Sequence, residues 1–188
     1  MKCSMSASIA PRIRDAKEED MPEILEIYND IIQNSAAVFS YAPHTLEMRL
    51  TWWKDRIGGG FPVHVATDPD TEKILGFASY GPFRAWRGFK YTVENSVYCH
   101  RESRGRGVGK LLLKATIEHA QANSIHAIVA GIEASNEVSI GLHKQFGFVE
   151  TGTMKQVGFK FNKWLDLSFL QLTFENSPIH PCDDIERN

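Results

Sequence analysis

Cysteine is scarce in this chain of 188 residues. Cys3, Cys99 and Cys182 lie far apart and form no C-x-x-C pair. That spacing signals neither a disulfide framework nor a zinc ribbon, and a reducing cytoplasm is the expected compartment. Long apolar runs are lacking too. No stretch approaches the roughly 20 residues needed to cross a bilayer, and Met1 to Ala10 holds one lysine and a broken apolar run, so neither a membrane span nor a targeting leader is expected. Nor is there a surplus of charge. A net charge of −2 argues against a broad polyanion-binding surface, which needs clustered Lys and Arg, so any basic patch must be local and no nucleic-acid partner is expected. What is present, 43% hydrophobic and 23% charged residues, is the composition of one globular domain long enough to bury its own core. Residues 1–10 are expected to be a loose extension, 11–175 a single domain, and the polar 176–188 with its two prolines a loose tail.

Arg12 to Ala16 reads as a strand. Asp20 stands where it can cap a helix, with Glu23 completing a capping-box spacing, and Ile24, Ile27, Tyr28 and Ile31 mark one buried helical face. Thr45 can cap a second helix on which Leu46, Leu50, Trp53 and Ile57 share a face before Gly58-Gly59-Gly60 stops it. Phe61–Thr67 and Ile74–Tyr80, separated by Asp68-Pro69-Asp70, predict an antiparallel hairpin. A loop rich in aromatics and arginine runs from Gly81 to Lys90. Val93 to Cys99 alternates as a strand, Val108, Leu111, Leu112 and Ala115 give a helix its apolar face, and Ala127–Ile132 is a continuous apolar run suited to a strand buried on both faces. Asn136 caps a short helix through Phe146, with Gly147 in the position that favours left-handed backbone, and Phe148–Val157 and Leu165–Phe174 are the last strands. The order β-α-α-β-β-β-α-β-α-β-β describes an α/β (α+β) sheet of mixed direction.

Between the Val93 strand and the leucine-rich helix stands Arg104-Gly105-Arg106-Gly107-Val108-Gly109-Lys110. A strand, a Gly-rich turn and a helix start present bare backbone N–H groups and positive dipole to a phosphate. It is not a Walker loop, because Arg104 occupies the first Gly position and Leu111 replaces the metal-binding hydroxyl. It is not a dinucleotide fingerprint either, because the glycines fall at 105, 107 and 109. What remains is R-x-x-G-x-G, with Arg101, Arg104, Arg106 and Lys110 supplying charge.

At these residues the chain resembles the GNAT superfamily of acyl-CoA-dependent N-acetyltransferases, whose signature is [Q/R]-x-x-G-x-[G/A] directly after a central strand. Arg104 to Gly109 matches it in full. A narrower resemblance, over about Arg12 to Phe174, is to the phosphinothricin and methionine sulfoximine N-acetyltransferase branch. It rests on Gly81-Pro82-Phe83, Thr92-Val93-Glu94, Ser96-Val97-Tyr98, Gly141-Leu142-His143 and Gly158-Phe159-Lys160 with Trp164 and Asp166. The resemblance implies a GNAT fold, in which a mostly antiparallel twisted sheet flanked by helices opens in a V between two strands to bind acyl-CoA, and a bulged strand before the turn. It implies acetyl-CoA as acyl donor, with pantetheine along Val97, Tyr98 and Cys99, phosphates at Arg104, Gly105, Arg106, Gly107, Val108, Gly109 and Lys110, and further contacts from Asn136 and Ser139. Cys99 departs from the β-branched residue usual there, at a position that contributes backbone. A homodimer is implied as well.

Acetyl transfer to an amine needs a neutral amine, a stabilised oxyanion and a proton for the leaving thiolate. An α-amino group titrates near or above roughly 8, so a base helps at neutral pH. The resemblance gives Glu94 that task and makes His143 an acid for the thiolate or a second base; a core histidine bonded to a backbone carbonyl is the alternative. A backbone N–H of the Val97–Cys99 strand is the expected oxyanion donor. An amino-acid substrate carries a carboxylate, so Arg84, Arg87 and Lys90, with Gly88 between them and Phe83, Trp86 and Phe89 as apolar walls, are candidates for the acceptor pocket, closed by Phe39. The remaining histidines show no metal-ligand spacing, and no metal is expected. A peptide N-terminus, polyamine or drug amine as acceptor, and an acyl-CoA-binding module without turnover, stay open on the sequence.

Overall fold

The structure, a computed structural model, describes residues 10–175; the expected tail, nearly all of the expected N-terminal extension, and with them Cys3 and Cys182, lie outside the described residues. β1 (Arg12–Asp15) passes through one 3-10 turn into α1 (Met21–Asn34) and then α2 (Leu46–Gly58). The expected Asp20–Glu23 capping box does not form. The Asp20 carboxylate instead accepts from the Arg14 guanidinium at 2.6 and 2.9 Å and from the Lys17 N–H at 2.7 Å, while Glu23 accepts from the Ile74 N–H at 2.9 Å. Pairing with a guanidinium is stronger than an ordinary cap, so the carboxylate turns back toward β1. Thr45 does cap α2, accepting from the Met48 N–H at 3.2 Å. Of that helix's apolar stripe, Leu50 and Trp53 pack on the core, whereas Leu46 and Ile57 at the two ends are exposed.

β2 (Val63–Thr67) and β3 (Ile74–Pro82) form the predicted hairpin, followed by β4 (Thr92–Cys99), α3 (Val108–Ala122), β5 (Ala127–Glu133), α4 (Glu137–Gln145), β6 (Val149–Lys160) and β7 (Lys163–Thr173). The last two strands are longer at their shared end than the sequence suggests. Phe161 and Asn162 adopt φ of 51° and 59° and make a two-residue turn that suits the twist of a hairpin, so pairing continues to Lys160 and Lys163. On α3 the buried residues are Val108, Leu112, Leu113, Thr116 and Ala120, with Leu111 and Ala115 at the margin.

The seven strands lie in the order β1-β2-β3-β4-β5-β7-β6. All neighbours are antiparallel except β4 and β5, which run parallel and pair only at Thr92–Ala127, Val93–Ile128 and Glu94–Val129. Beyond Glu94 the two strands part, and this is the V-shaped opening. The expected bulge is not in the β3–β4 ladder, whose register is continuous from Val93–Pro82 to Cys99–Gly76. What frees the end of β4 is the divergence of β5. On one face, α1 buries Met21, Ile24, Ile27 and Ile31 against Val63, Val65 and Phe77. On the other, α3 buries Leu112 and Leu113 against Ala78, Val93 and Ile128. Among the described residues no helix is long and apolar enough to cross a membrane.

Candidate active site

Strand alternation sends Glu94, Ser96 and Tyr98 to the α1–α2 face and Val93, Asn95, Val97 and Cys99 to the α3–α4 face. Tyr98 accordingly packs on Tyr28 and Phe77, and Cys99 on the cluster of Val108 and Leu112. Because β5 leaves β4 after Glu94, both faces are reachable from the opening. Two cavities meet there. One, of about 970 Å³, lies between the end of β4, the start of α3 and the start of α4; the other, of about 330 Å³, runs under α1 and α2. Val97, Tyr98, Glu133, Asn136 and Ser139 line both.

The larger cavity is walled by the turn from Arg104 to Lys110. Gly105 and Gly107 hold φ of 73° and 80°, a region costly for residues with a Cβ, and Gly107 is the N-cap of α3 with no side chain to close it. The first N–H groups of α3 therefore stay open to an anion. Arg104 and Lys110 line the groove; Arg106 does not, and its charge reaches Asp68 instead. Asn136 accepts from the Ser139 N–H at 3.1 Å and so caps α4, whose first turn faces the groove. Burial pushes the Cys99 thiol up to about 11, so it stays protonated. A long ligand with an amide arm and phosphates fits these walls: a free strand edge at one end, bare helix N–H groups and two cations at the other.

In the smaller cavity Gly131 makes room for Glu94. A Cβ there would stand 3.0 Å from Oε1 of Glu94. Burial raises the Glu94 pKa, and the nearby Arg84 charge partly opposes the rise. His143 is buried and bonded at both ring nitrogens. Nδ1 lies 2.8 Å from the Ser139 carbonyl, which can only accept, so Nδ1 carries the hydrogen and Nε2 accepts from the Asn95 amide at 3.1 Å. Burial lowers the His143 pKa, consistent with a neutral ring. Asn95 Oδ1 is left buried without a partner. Glu133 accepts from the Ser135 hydroxyl at 2.6 Å and its N–H at 3.2 Å. The wall formed by α2 is cationic and aromatic: Arg49 is 3% exposed, with its guanidinium 3.9 Å from the Tyr28 ring centre and 4.6 Å from that of Trp52, and Arg56 lies against Gly81.

Residues 13–168 match the family model described as Acetyltransferase (GNAT) domain. The chain belongs to the GNAT acetyltransferase family. It is 48% identical over 171 residues to the L-methionine sulfoximine/L-methionine sulfone acetyltransferase of Pseudomonas aeruginosa, covering 91% of this chain and 96% of that one. It is 33% identical over 168 residues to the phosphinothricin N-acetyltransferase of Streptomyces coelicolor, covering 89% and 98%. Among solved structures, a phosphinothricin acetyltransferase from Sinorhizobium meliloti in complex with acetyl-CoA superposes with a TM-score of 0.89 at 30% identity, covering 95% of this chain and 97% of that chain. In this acetyltransferase the donor residues expected from the sequence line the larger cavity, Arg106 apart.

The acetyltransferase's expected acceptor residues are spread more widely. Glu94 lines the smaller cavity and Arg84 acts on it electrostatically, although the Arg84 guanidinium is exposed, stacked 4.0 Å over Phe83 and donating to the Phe83 carbonyl at 2.6 Å. Arg87, Gly88 and Phe89 form an exposed 3-10 turn, with Phe89 5.7 Å from Phe83. Phe39 lies under β6, where a Cβ on Gly158 would come within 2.4 Å of its ring. Sequence reasoning passed over Tyr28, His44, Arg49, Trp52 and Arg56, which do line the cavity. The signal was there: Arg49, Trp52 and Arg56 recur at helical spacing one residue before the apolar stripe of the same helix.

Proposed function

We propose that this acetyltransferase acetylates the α-amino group of a small amino acid whose side chain ends in a sulfone, sulfoximine or phosphinate group, by direct transfer from acetyl-CoA within a ternary complex. The carrying observation is the half-buried Glu94 in a small cavity that joins the donor groove along Val97 and Tyr98. The names of the relatives at 48% and 33% identity support the acceptor class.

Acetyl-CoA supplies an acyl group activated as a thioester. Arg104, Lys110 and the open N–H groups of α3 hold its phosphates, and the free edge of β4 at Val97–Cys99 holds its amide arm and turns a backbone N–H to the carbonyl oxygen. Glu94 takes a proton from the α-ammonium group, and its raised pKa makes it a better base than an ordinary carboxylate. Gly131 leaves space for that carboxylate. His143, with both nitrogens engaged, positions Asn95 against the opening and fixes the first turn of α4. The protonated Cys99 thiol supports direct transfer over a cysteine-bound acyl group. Two guanidinium groups in the acceptor cavity argue against a polyamine.

Two copies pair in this reading, through the apolar face of the β6–β7 hairpin, where Met154, Phe159, Phe161 and Trp164 are exposed; sedimentation at micromolar concentration tests this. The enzyme works in the cytoplasm without a metal. Purified protein supplied with acetyl-CoA is expected to release CoA thiol with methionine sulfone, methionine sulfoximine or phosphinothricin. No release with any amino acid in a broad panel would refute the assignment.

A further inference from the structure

Arg49 is a buried cation with no counter-ion. Among the described residues no carboxylate forms an ion pair with it, although other arginines, Arg14 and Arg101 among them, do pair with carboxylates. Its guanidinium bonds to Nδ1 of His44 at 3.1 Å and lies over the Tyr28 ring, and its Nε is buried without a partner. A guanidinium has five N–H donors, and burying an unpaired one is expensive unless something else accepts from it. Arg49 nevertheless lines the acceptor cavity. Its Cζ lies against both the Tyr28 and Trp52 rings, and reciprocal bonds between the Asn29 amide and the His44 backbone, 2.9 and 2.8 Å, fix the His44 end. The group is preorganised and short of acceptors.

Its place along the cavity is also defined. Glu94 and Tyr98 point to the same face of β4 four residues apart, and Tyr98 packs 5.5 Å from Tyr28, the ring that the Arg49 guanidinium covers at 3.9 Å. Arg49 thus sits at the Tyr98 end of the cavity, and Glu94 at the amine end, where β4 and β5 part. We infer that Arg49 is the specificity residue that recognises the sulfur- or phosphorus-bound oxygens at the far end of the acceptor's side chain. A planar, weakly hydrated guanidinium held against aromatic rings suits such paired oxygens; a lysine ammonium does not. Plain methionine, with no oxygen there, leaves those donors unsatisfied. The inference rests on the acceptor class proposed above.

The test measures kcat/KM for methionine sulfone and for methionine in the wild type, Arg49→Met and Arg49→Lys, together with binding of each amino acid to the CoA-loaded enzyme by calorimetry. The preference for the sulfone over methionine is expected to fall roughly 10- to 100-fold in Arg49→Met, with partial recovery in Arg49→Lys and CoA affinity retained. A parallel loss for both amino acids, or an unchanged ratio, would overturn the inference and leave Arg49 as a strut between α1 and α2. If Arg49→Met fails to fold, the ratio in Arg49→Lys decides by the same criterion. Wild-type protein that binds the sulfone through Arg49 yet releases no CoA would sink the catalytic reading and keep this one. Wild-type protein that binds sulfone no better than methionine would overturn this inference, whatever the turnover.

Discussion

The Asn95 amide donates to Nε2 of His143 at 3.1 Å, and His143 passes its own Nδ1 hydrogen to the Ser139 carbonyl at 2.8 Å. This chain links β4, the strand that carries Glu94, to the first turn of α4, which faces both cavities. It also fixes the tautomer. Nitrogen-15 spectra of the ring near pH 7 are expected to show a protonated Nδ1 and a bare Nε2, with protonation only below the usual histidine range. An Nε2-bound hydrogen at neutral pH would contradict the positioning role and restore His143 as a proton donor.

The charge of Arg84 favours the ionised form of Glu94 while burial disfavours it, and burial is the larger influence. Glu94 acts as a base only when ionised, so kcat/KM should fall on the acid side through a pKa above the ordinary carboxylate range. Removing the cation in Arg84→Ala takes away the opposing influence, and the acid limb should move to higher pH. A limb that stays put, or moves to lower pH, would show that a group other than Glu94 governs it.

The order of elements and the donor loop were legible in the sequence because both depend on local signals. Apolar periodicity gave the strands and helices, and Arg104 to Gly109 gave the turn, since glycine at positive φ ahead of a helix leaves a spacing that can be read directly. The smaller cavity, proposed for the acceptor, was not legible. Its walls join Tyr28 on α1, Arg49 and Trp52 on α2 and Glu94 on β4, residues distant in sequence and brought together by packing. Asp20 shows the same limit at one residue. Its position predicts a helix cap, but the arginine six residues earlier folds back and takes the carboxylate. The Arg87–Phe89 turn is exposed and stands apart from the residues that line the smaller cavity.

Cys99 lies on the donor groove with its thiol pushed up to about 11. Cys99→Ala should keep kcat within a few-fold of the wild type, because the position contributes backbone. Alkylation by iodoacetamide at pH 7.5 should be slow, because the thiolate is the reactive form. An acetylated Cys99 trapped on rapid mixing with acetyl-CoA would contradict direct transfer.

Four histidines, His44, His64, His119 and His143, have pKa values lowered by burial. The folded chain then binds fewer protons than the unfolded one just below the unfolded histidine pKa, about 6.5, so stability rises with pH there. The contribution is fully present above that value and is lost as pH falls through the folded values. Tm should be flat from pH 7 to 8 and decline from pH 6.5 toward 5. The decline should be shallower in His64→Gln, since Nε2 of His64 is buried without a partner. A Tm that rises on acidification over this range would contradict the burial assignments.

In the proposed reaction Glu94 is the base facing a bound amino acid. The most direct measurement is the turnover of methionine sulfone by Glu94→Gln at pH 7.5, with the dissociation constant of acetyl-CoA measured on the same preparation. The substitution keeps the shape of the side chain and removes the proton acceptor, so kcat should fall by roughly 10²- to 10⁴-fold while acetyl-CoA binds as in the wild type. Turnover within a few-fold of the wild type, with the donor bound normally, would contradict the assignment.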